Sequence, residues 1–219
     1  MPMSDTHHIP AVLHYAFALQ PQTVLDVGVG MGAYGFLLRQ YLDVGQERIH
    51  RPDWRVRIDG VEVFEGYRNP VWDYAYDRVV LDDVRAVLPS LGRYDLVLLN
   101  DVLEHFERET ARALVRDVLA RSAAVVATTP NREYPQGAWG GNEAETHRSL
   151  LDATDFPHLV AEHRIGITSC YVCSADPHTV ERLRAAAVTC PVVAPRLLPR
   201  VTAHLERSWR GAIRRLRTT

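Results

Sequence analysis

The stretch that decides the fold is Thr23-Val24-Leu25-Asp26-Val27-Gly28-Val29-Gly30-Met31-Gly32, which is followed by a helix-like segment at residues 33–42. Its first five residues are mostly β-branched or apolar, a composition that predicts a buried β-strand. The three glycines at alternate positions let the backbone turn sharply and approach a ligand closely. A strand, a glycine-rich turn and a helix in this order are typical of nucleotide-binding α/β folds.

The rest of the chain continues the alternation of strand-like and helix-like segments. Further strands are predicted at residues 55–64, 78–81, 94–100 and 123–128, with a terminal antiparallel pair at 159–163 and 168–174. A helix is predicted where apolar residues recur at Ala111, Leu114, Val115, Val118 and Leu119. The pattern predicts an α/β, Rossmann-like, doubly wound and mostly parallel sheet with a terminal antiparallel hairpin.

The chain of 219 residues suits one domain, predicted at residues 1–190, with a basic amphipathic helical tail at residues 191–219. That tail holds seven arginines against Glu206, about +6, which leaves about −8 elsewhere for a net charge of −2. An acidic body counts against a nucleic-acid partner. The apolar face of the tail could pack on the domain or on a second subunit, so a homodimer is one expectation.

Composition excludes several classes of protein. The chain contains no lysine, which rules out a Schiff-base lysine, a P-loop lysine and a lysine general base. No apolar run reaches the roughly 20 residues of a membrane span, and the polar start has no signal-peptide pattern, so a cytoplasmic location is expected. Three cysteines do not predict a disulfide framework, and Cys170 and Cys173 lie three apart on a strand-like run.

Acidic residues stand at the ends of the predicted strands. Asp26 precedes Gly28, Gly30 and Gly32, and this spacing differs from the G-x-G-x-x-G loop of dinucleotide-binding proteins. An acid beside the loop suits a ligand that carries an ammonium group rather than a pyrophosphate. Glu62 ends the second strand, where a carboxylate can accept ribose hydroxyls, with Asp59 as the alternative.

These residues resemble the D/E-x-G-x-G-x-G motif and the following acids of the class I S-adenosylmethionine (SAM)-dependent methyltransferases, over about residues 20–175. The resemblance implies that SAM is the cofactor. It also implies that the segment Asp82-Asp83-Val84 contacts the adenine, with Asp83 preferred over Asp82. The cofactor-binding residues implied in this way are Asp26, Gly28, Gly30, Gly32, Glu62, Asp83, Val84 and Asn100.

The run Asn100-Asp101-Val102-Leu103-Glu104-His105 ends the fourth strand. If a helix begins near Val102, Asp101, Glu104 and His105 share one face. The run resembles Glu-x-x-Glu-His segments of ubiquinone-biosynthesis O-methyltransferases and small-RNA 2′-O-methyltransferases, which are tied to a metal that a later histidine joins. Here Asp101 replaces the first Glu and His147 follows later.

Two interpretations of this run stay open. In the first, Asp101, Glu104, His105 and His147 hold a divalent cation, Mg²⁺, Mn²⁺ or Zn²⁺. In the second there is no metal, Glu104 caps the helix, and His105 packs near the sulfonium. In either case the expected catalytic residues are Asp101, His105 and His147, with a histidine able to take a proton near neutral pH.

The sequence therefore predicts an enzyme, a SAM-dependent methyltransferase that O-methylates a hydroxyl of a small molecule such as a sugar or secondary metabolite. The segment 143–149 resembles Glu-x-His-x-Ser-x-Trp in bacterial methyltransferases of saccharide and natural-product pathways, but Leu151 takes the Trp position. The alternatives are a metal-assisted small-RNA 2′-O-methyltransferase and a non-catalytic SAM-binding protein. An NAD-dependent oxidoreductase would need a different glycine spacing.

Overall fold

The computed structural model describes residues 5–191, so the predicted tail lies outside the described residues from residue 192 onward. The helices are α1 Ile9–Leu19, α2 Ala33–Leu42, α3 Pro70–Ala75, α4 Val84–Val87, α5 Arg108–Leu119 and α6 Pro177–Thr189. The strands are β1 Thr23–Val27, β2 Arg57–Glu62, β3 Arg78–Leu81, β4 Tyr94–Asn100, β5 Ser122–Pro130, β6 Leu159–Ile165 and β7 Thr168–Cys173.

The seven strands form one sheet in the order β3-β2-β1-β4-β5-β7-β6. Strands β1 to β5 pair in parallel, whereas β7 runs antiparallel to both β5 and β6. The predicted fold class, a mostly parallel doubly wound sheet ending in an antiparallel hairpin, is confirmed. The strand order reverses between β1 and β4, which are neighbours in the sheet.

Apolar side chains cover both faces of the sheet. One face packs against α1, α2, α3 and α6 through residues such as Tyr15, Leu38 and Trp72. The other packs against α4 and α5, where Leu114 and Val118 belong to the apolar stripe that predicts the helix. Burial of each large apolar side chain contributes roughly 1.5–3 kcal/mol, so both helical layers hold the sheet in place.

Four strands, β2, β5, β6 and β7, differ in length from their predictions, and the cause is visible for the first two. Strand β2 ends at Glu62 because the backbone N–H groups of Val63 and Phe64 donate to the Glu62 carboxylate and not to a neighbouring strand. Strand β5 runs on to Pro130, which pairs with Thr168 of β7. A side-chain acceptor thus shortens one strand, and an antiparallel partner lengthens the other.

The prediction of a helix that begins near Val102 is wrong. Asp101 adopts a left-handed conformation, with φ of 52°, and its N–H donates to the carbonyl of Thr128 in β5. A single 3₁₀ turn, Leu103–His105, follows, and α5 begins only at Arg108. The left-handed residue breaks the helical path, so Asp101, Glu104 and His105 do not form a continuous helix face.

Helices α1 and α6 lie outside the sequence-based predictions, and they pack against each other. Between residues 5 and 191, no helix combines the length and the apolar character that crossing a membrane requires. Cys170, Cys173 and Cys190 are all buried free thiols.

Candidate active site

A cavity of about 700 Å³ opens at the carboxyl ends of β1, β2 and β4, beside the point where the strand order reverses. In open α/β sheets this is where ligands bind. The cavity wall brings together most of the residues that the sequence singles out: Gly28, Gly30, Glu62, Asp82, Asp83, Val84, Asn100, Asp101 and His105. Gly32, Asp26, Glu104 and His147 do not line it.

The glycine loop forms the floor of this cavity. Gly28, Gly30 and Gly32 have φ angles of 76°, 52° and 88°, in the left-handed region that side chains disfavour. A Cβ atom at Gly28 would also lie 2.6 Å from Cγ2 of Val102. The conformation and the close approach together explain the glycine at this position.

Glu62 joins the end of β2 to the glycine loop. Its Oε2 accepts a 2.8 Å hydrogen bond from the Gly30 N–H, and its Oε1 accepts 2.9 Å bonds from Val63 and Phe64. Burial raises the pKa of this carboxyl, and the three backbone donors oppose the rise. A carboxylate has about four acceptor positions, so one remains for a ligand hydroxyl.

Asp26 lies beneath the glycine loop and is only 1% exposed. Its Oδ2 accepts a 2.5 Å hydrogen bond from the Tyr76 hydroxyl, which itself accepts from the Gly35 N–H in α2. Burial raises the pKa of the Asp26 carboxyl to about 7, against the hydrogen bond from Tyr76. The position ties the loop to α2 and α3, and the expected contact with a ligand ammonium stays a prediction.

The acidic pair after β3 lines the cavity at its far side. Asp83 caps α4 by accepting from the Arg85 N–H at 2.8 Å, and Asp82 accepts from the Asp83 N–H at 2.7 Å. The Arg85 side chain pairs with Asp83 and lowers the pKa of that carboxyl. Both acids are placed beside the cavity, so the preference for Asp83 as the adenine contact stays a prediction.

At the opposite end, Glu104, His105 and His147 form one cluster whose ligand atoms all lie within 4.8 Å of one another. Asp101, the fourth candidate, is not part of this group. The two imidazole rings lie 5.0 Å apart between centroids, and His147 Nδ1 faces the carbonyl of Tyr134 at 2.6 Å. The later histidine therefore does reach the segment after β4, as the sequence predicts.

Burial dominates the electrostatics of this cluster. It raises the pKa of Glu104 well above its usual range, and the nearby Asp101 raises it further. It lowers the pKa of both His105 and His147, so these imidazoles are neutral near pH 7. Glu104 would have to release its proton to serve as a ligand; its carboxylate and two neutral imidazoles are then a donor set that divalent cations accept. Glu104 Oε2 is buried without a hydrogen-bond partner among the described residues.

Three further residues, Tyr67, Asn142 and Glu145, line the cavity, and the loop at residues 131–142 is one that the sequence predicts to shape the acceptor pocket. The Tyr67 hydroxyl donates to Glu145 Oε1 at 2.8 Å, and the amide of Asn142 lies 3.4 Å from that hydroxyl. These contacts join the segment that carries Asn142 and Glu145 to the turn after β2, beside the cavity. Glu145 belongs to the segment quoted for His147, whereas Tyr67 has no sequence signal because only the turn after β2 brings it there.

Comparisons with known proteins agree on the fold. No protein-family model matches the sequence, and none of the curated proteins matches it. Among solved structures, the chain is similar to the methyltransferase domain of bacterial CtHen1, with 16% identity, a TM-score of 0.53, and coverage of 77% of this chain and 97% of that one. It is also similar to the N-terminal domain of EvdMO1 with SAH bound, with 18% identity, a TM-score of 0.52, and coverage of 79% and 83%.

An rRNA methylase from Escherichia coli matches with 20% identity and a TM-score of 0.51 over 77% of this chain. The match spans 64% of the length of that methylase. The chain therefore has the fold of the class I SAM-dependent methyltransferases, as its glycine motif predicts.

Proposed function

We propose that this protein is a SAM-dependent methyltransferase that methylates a hydroxyl group of a small molecule. The observation that carries the proposal is the cavity itself. Its wall joins the glycine loop, Glu62 and the acidic pair at one end to Asp101 and His105 at the other. A cofactor end and a proton-accepting end thus share one enclosed space at the site where this fold binds ligands.

The cofactor end has the chemistry to hold SAM. The remaining acceptor position of Glu62 suits a ribose hydroxyl, and Asp82 and Asp83 offer acceptors for an adenine amino group. The similar EvdMO1 domain was solved with SAH bound, and SAH is the product that SAM leaves after methyl transfer. These points support SAM as the ligand of this cavity.

SAM, when bound, supplies an electrophilic methyl group on a sulfonium. The acceptor oxygen forms the new bond to carbon, the carbon–sulfur bond breaks with its electron pair going to sulfur, and the hydroxyl proton must leave. Asp101 and His105 are the cavity-facing groups that can accept a hydrogen bond or a proton from that hydroxyl. Because burial lowers the pKa of His105, its ring is unprotonated and available near neutral pH.

The size of the site favours a small acceptor. A volume of about 700 Å³ lies inside the range of roughly 300–1,000 Å³ for small-molecule pockets. Charges of both signs, Glu107, Glu145 and Arg148, line the cavity, so its size is the observation that supports a small acceptor. A sugar or secondary metabolite with free hydroxyls is therefore the acceptor class that we propose.

A screen of hydroxylated acceptors with methyl-labelled SAM tests this function directly. Transfer of label to a monosaccharide or phenolic acceptor, and its loss in His105→Ala, is the expected result. His178→Ala is the matched control, because His178 lies in α6 away from the cavity. Label transfer that persists in His105→Ala would remove that residue from the mechanism.

A second candidate function, metal-assisted 2′-O-methylation of RNA, is favoured by one observation, the cluster of Glu104, His105 and His147. A cation held there would lower the pKa of an acceptor hydroxyl. Elemental analysis of the purified protein, repeated on His147→Ala, tests the cluster. A stoichiometric metal that is lost in the variant, together with methylation of a short RNA, would place this function first.

Two sequence-based expectations, a cytoplasmic location and a homodimer, belong to the proposal as well. Light scattering of the full chain measures the second, and a mass of twice 24.7 kDa is the result expected for a dimer.

A further inference from the structure

His8 reaches the active site from the start of the chain. It precedes α1, its side chain is completely buried, and its ring contacts the ends of three strands. Its Nε2 lies 3.4 Å from Asp101 Oδ2 and 3.3 Å from the hydroxyl oxygen of Thr128, while its Nδ1 lies 3.3 Å from the hydroxyl oxygen of Thr168. A residue that the sequence gives no reason to single out therefore touches a predicted catalytic acid.

The tautomer of His8 decides what each ring nitrogen does. The Thr168 hydroxyl lies 3.1 Å from the carbonyl of Ile165 and 3.3 Å from Nδ1, and it can donate to either. The Thr128 hydroxyl donates to Asp101 Oδ1 at 3.1 Å, so its oxygen can accept from Nε2. A neutral imidazole that carries its proton on Nε2 therefore directs that N–H to the Thr128 oxygen at 3.3 Å, beside Asp101 Oδ2 at 3.4 Å.

Neighbouring groups contact the backbone and both carboxylate oxygens of Asp101. Its N–H donates to the Thr128 carbonyl, its Oδ1 accepts from the Thr128 hydroxyl, and its Oδ2 faces His8. The side chain keeps 20% of its surface exposed, and the residue lines the cavity. A left-handed backbone at a residue other than glycine is disfavoured, so these contacts are what keep the carboxylate in this orientation.

We propose that His8 is a positioning residue that aims the Asp101 carboxylate at the place in the cavity where the methyl group is transferred. This inference rests on the proposed function, since the cavity must bind SAM for that place to exist. The N-terminal segment then completes the active site through a buried imidazole. Asp101 is the group that meets the acceptor, and His8 acts only through it.

Sinefungin is a suitable probe because no acceptor is needed. It is the SAM analogue in which the methyl-bearing sulfonium is replaced by a carbon that carries an amine, so its ammonium occupies the position of the transferred methyl. If the Asp101 carboxylate points there, sinefungin binds more tightly than SAH by about tenfold or more, the effect of one charge-assisted hydrogen bond. Calorimetry on the full chain measures both affinities.

Two polar variants of His8 separate positioning from packing. His8→Gln places an amide donor near the position of Nε2, facing Asp101, whereas His8→Asn places its amide near Nδ1, facing Thr168. We expect His8→Gln to keep the preference for sinefungin, and His8→Asn and Asp101→Asn to reduce it to threefold or less. Affinity for SAH should stay within about threefold of the unmodified protein in the two His8 variants.

The outcomes distinguish a failure of the proposed function from a failure of the positioning role of His8. If the unmodified protein does not bind SAH, the proposed function fails. If it binds SAH but shows no preference for sinefungin, or if His8→Asn retains the full preference, the positioning role of His8 is wrong. Thermal melting of each variant checks folding, and a variant that lost SAH binding along with its fold would be replaced by Thr168→Val, which removes the hydroxyl that contacts Nδ1 and the Ile165 carbonyl. Thr168→Val should keep the preference, and its loss there would also contradict the inference.

Discussion

At the scale of single residues, Asp26 shows that the place of a residue in a sequence motif does not determine where its side chain points in the structure. The motif puts this acid first, beside the glycines, but the structure buries its carboxyl under the loop and bonds it to Tyr76. Burial raises its pKa to about 7, so the folded protein holds a proton there that the unfolded chain releases above about pH 4. This difference makes stability depend on pH.

We expect the contribution of Asp26 to stability to be fully present below about pH 4 and to fall as the pH rises towards 7. Between pH 5 and pH 8, the loss is about 2–3 kcal/mol in the free energy of unfolding. Asp26→Asn cannot ionise, so it should lose that much less over the same interval. Urea unfolding of both proteins at the two pH values measures the difference, and equal losses would show that Asp26 is ionised throughout.

Glu62 is the residue on which cofactor binding should depend most. Glu62→Ala removes the acceptor for a ribose hydroxyl and leaves the Gly30 N–H without its partner. Hydrogen bonds to charged groups contribute about 1.5–3 kcal/mol each, so SAM affinity should fall at least about tenfold by calorimetry. Glu109→Ala is the control, because Glu109 is an exposed glutamate of α5 that lies outside the cavity. Equal affinity in Glu62→Ala and the unmodified protein would contradict its role.

The sequence could predict that acids follow the strands, because strand ends are visible as the limits of apolar runs. It could not predict which way each carboxyl points. Glu62 and Asp26 both follow apolar residues, yet only Glu62 faces the cavity, since Tyr76 of a later segment covers Asp26. The position of His8 is even harder to predict from sequence, because it contacts Thr128 and Thr168, which lie 120 and 160 positions away along the chain.

At the scale of elements, the glycine loop is the part of the site that the sequence predicts best. Its alternate glycines require left-handed backbone, and the structure shows positive φ at all three. The segment after β4 is predicted less well. Its residues allow a helix from Val102, but the hydrogen bond from the Asp101 N–H to Thr128 in a neighbouring strand breaks that path. Local sequence does not contain that partner.

Gly28→Ala tests the loop as an element. The left-handed backbone costs an added side chain roughly 1–2 kcal/mol, and the new Cβ would press on Val102 at 2.6 Å. We expect a lower melting temperature and weaker SAM binding, with the second variant Val102→Ala restoring only the part that is due to the clash. Gly137→Ala is the control, because a Cβ there meets nothing within 4 Å. A Gly28→Ala protein as stable as this control would contradict the loop geometry.

At the scale of the whole molecule, alternating strands and helices suffice to predict the sheet, because each βα unit can pack only in a few ways. The same reasoning does not predict α1 and α6. These two helices pack together and cover one face of the sheet. The absence of a periodic pattern predicts the loop at residues 131–142 beside the pocket, but it does not predict the contacts of Asn142 and Glu145 with Tyr67.

Ligand binding to the folded chain should stabilise the whole domain. At a SAM concentration of about 100 times the dissociation constant, the gain is about 2.7 kcal/mol. For a domain of this size, that raises the melting temperature by roughly 5–10 °C. Scanning calorimetry with and without SAM measures the shift, and NAD at the same concentration is the control. An equal shift with NAD would point to a dinucleotide site instead.

The central claim is that the cavity beside the glycine loop binds SAM, and isothermal titration calorimetry of the purified full chain with SAM tests it most directly. We predict one SAM site per chain, competed by SAH and weakened at least about tenfold in Glu62→Ala. No measurable binding of SAM or SAH to the folded, unmodified protein would contradict the account.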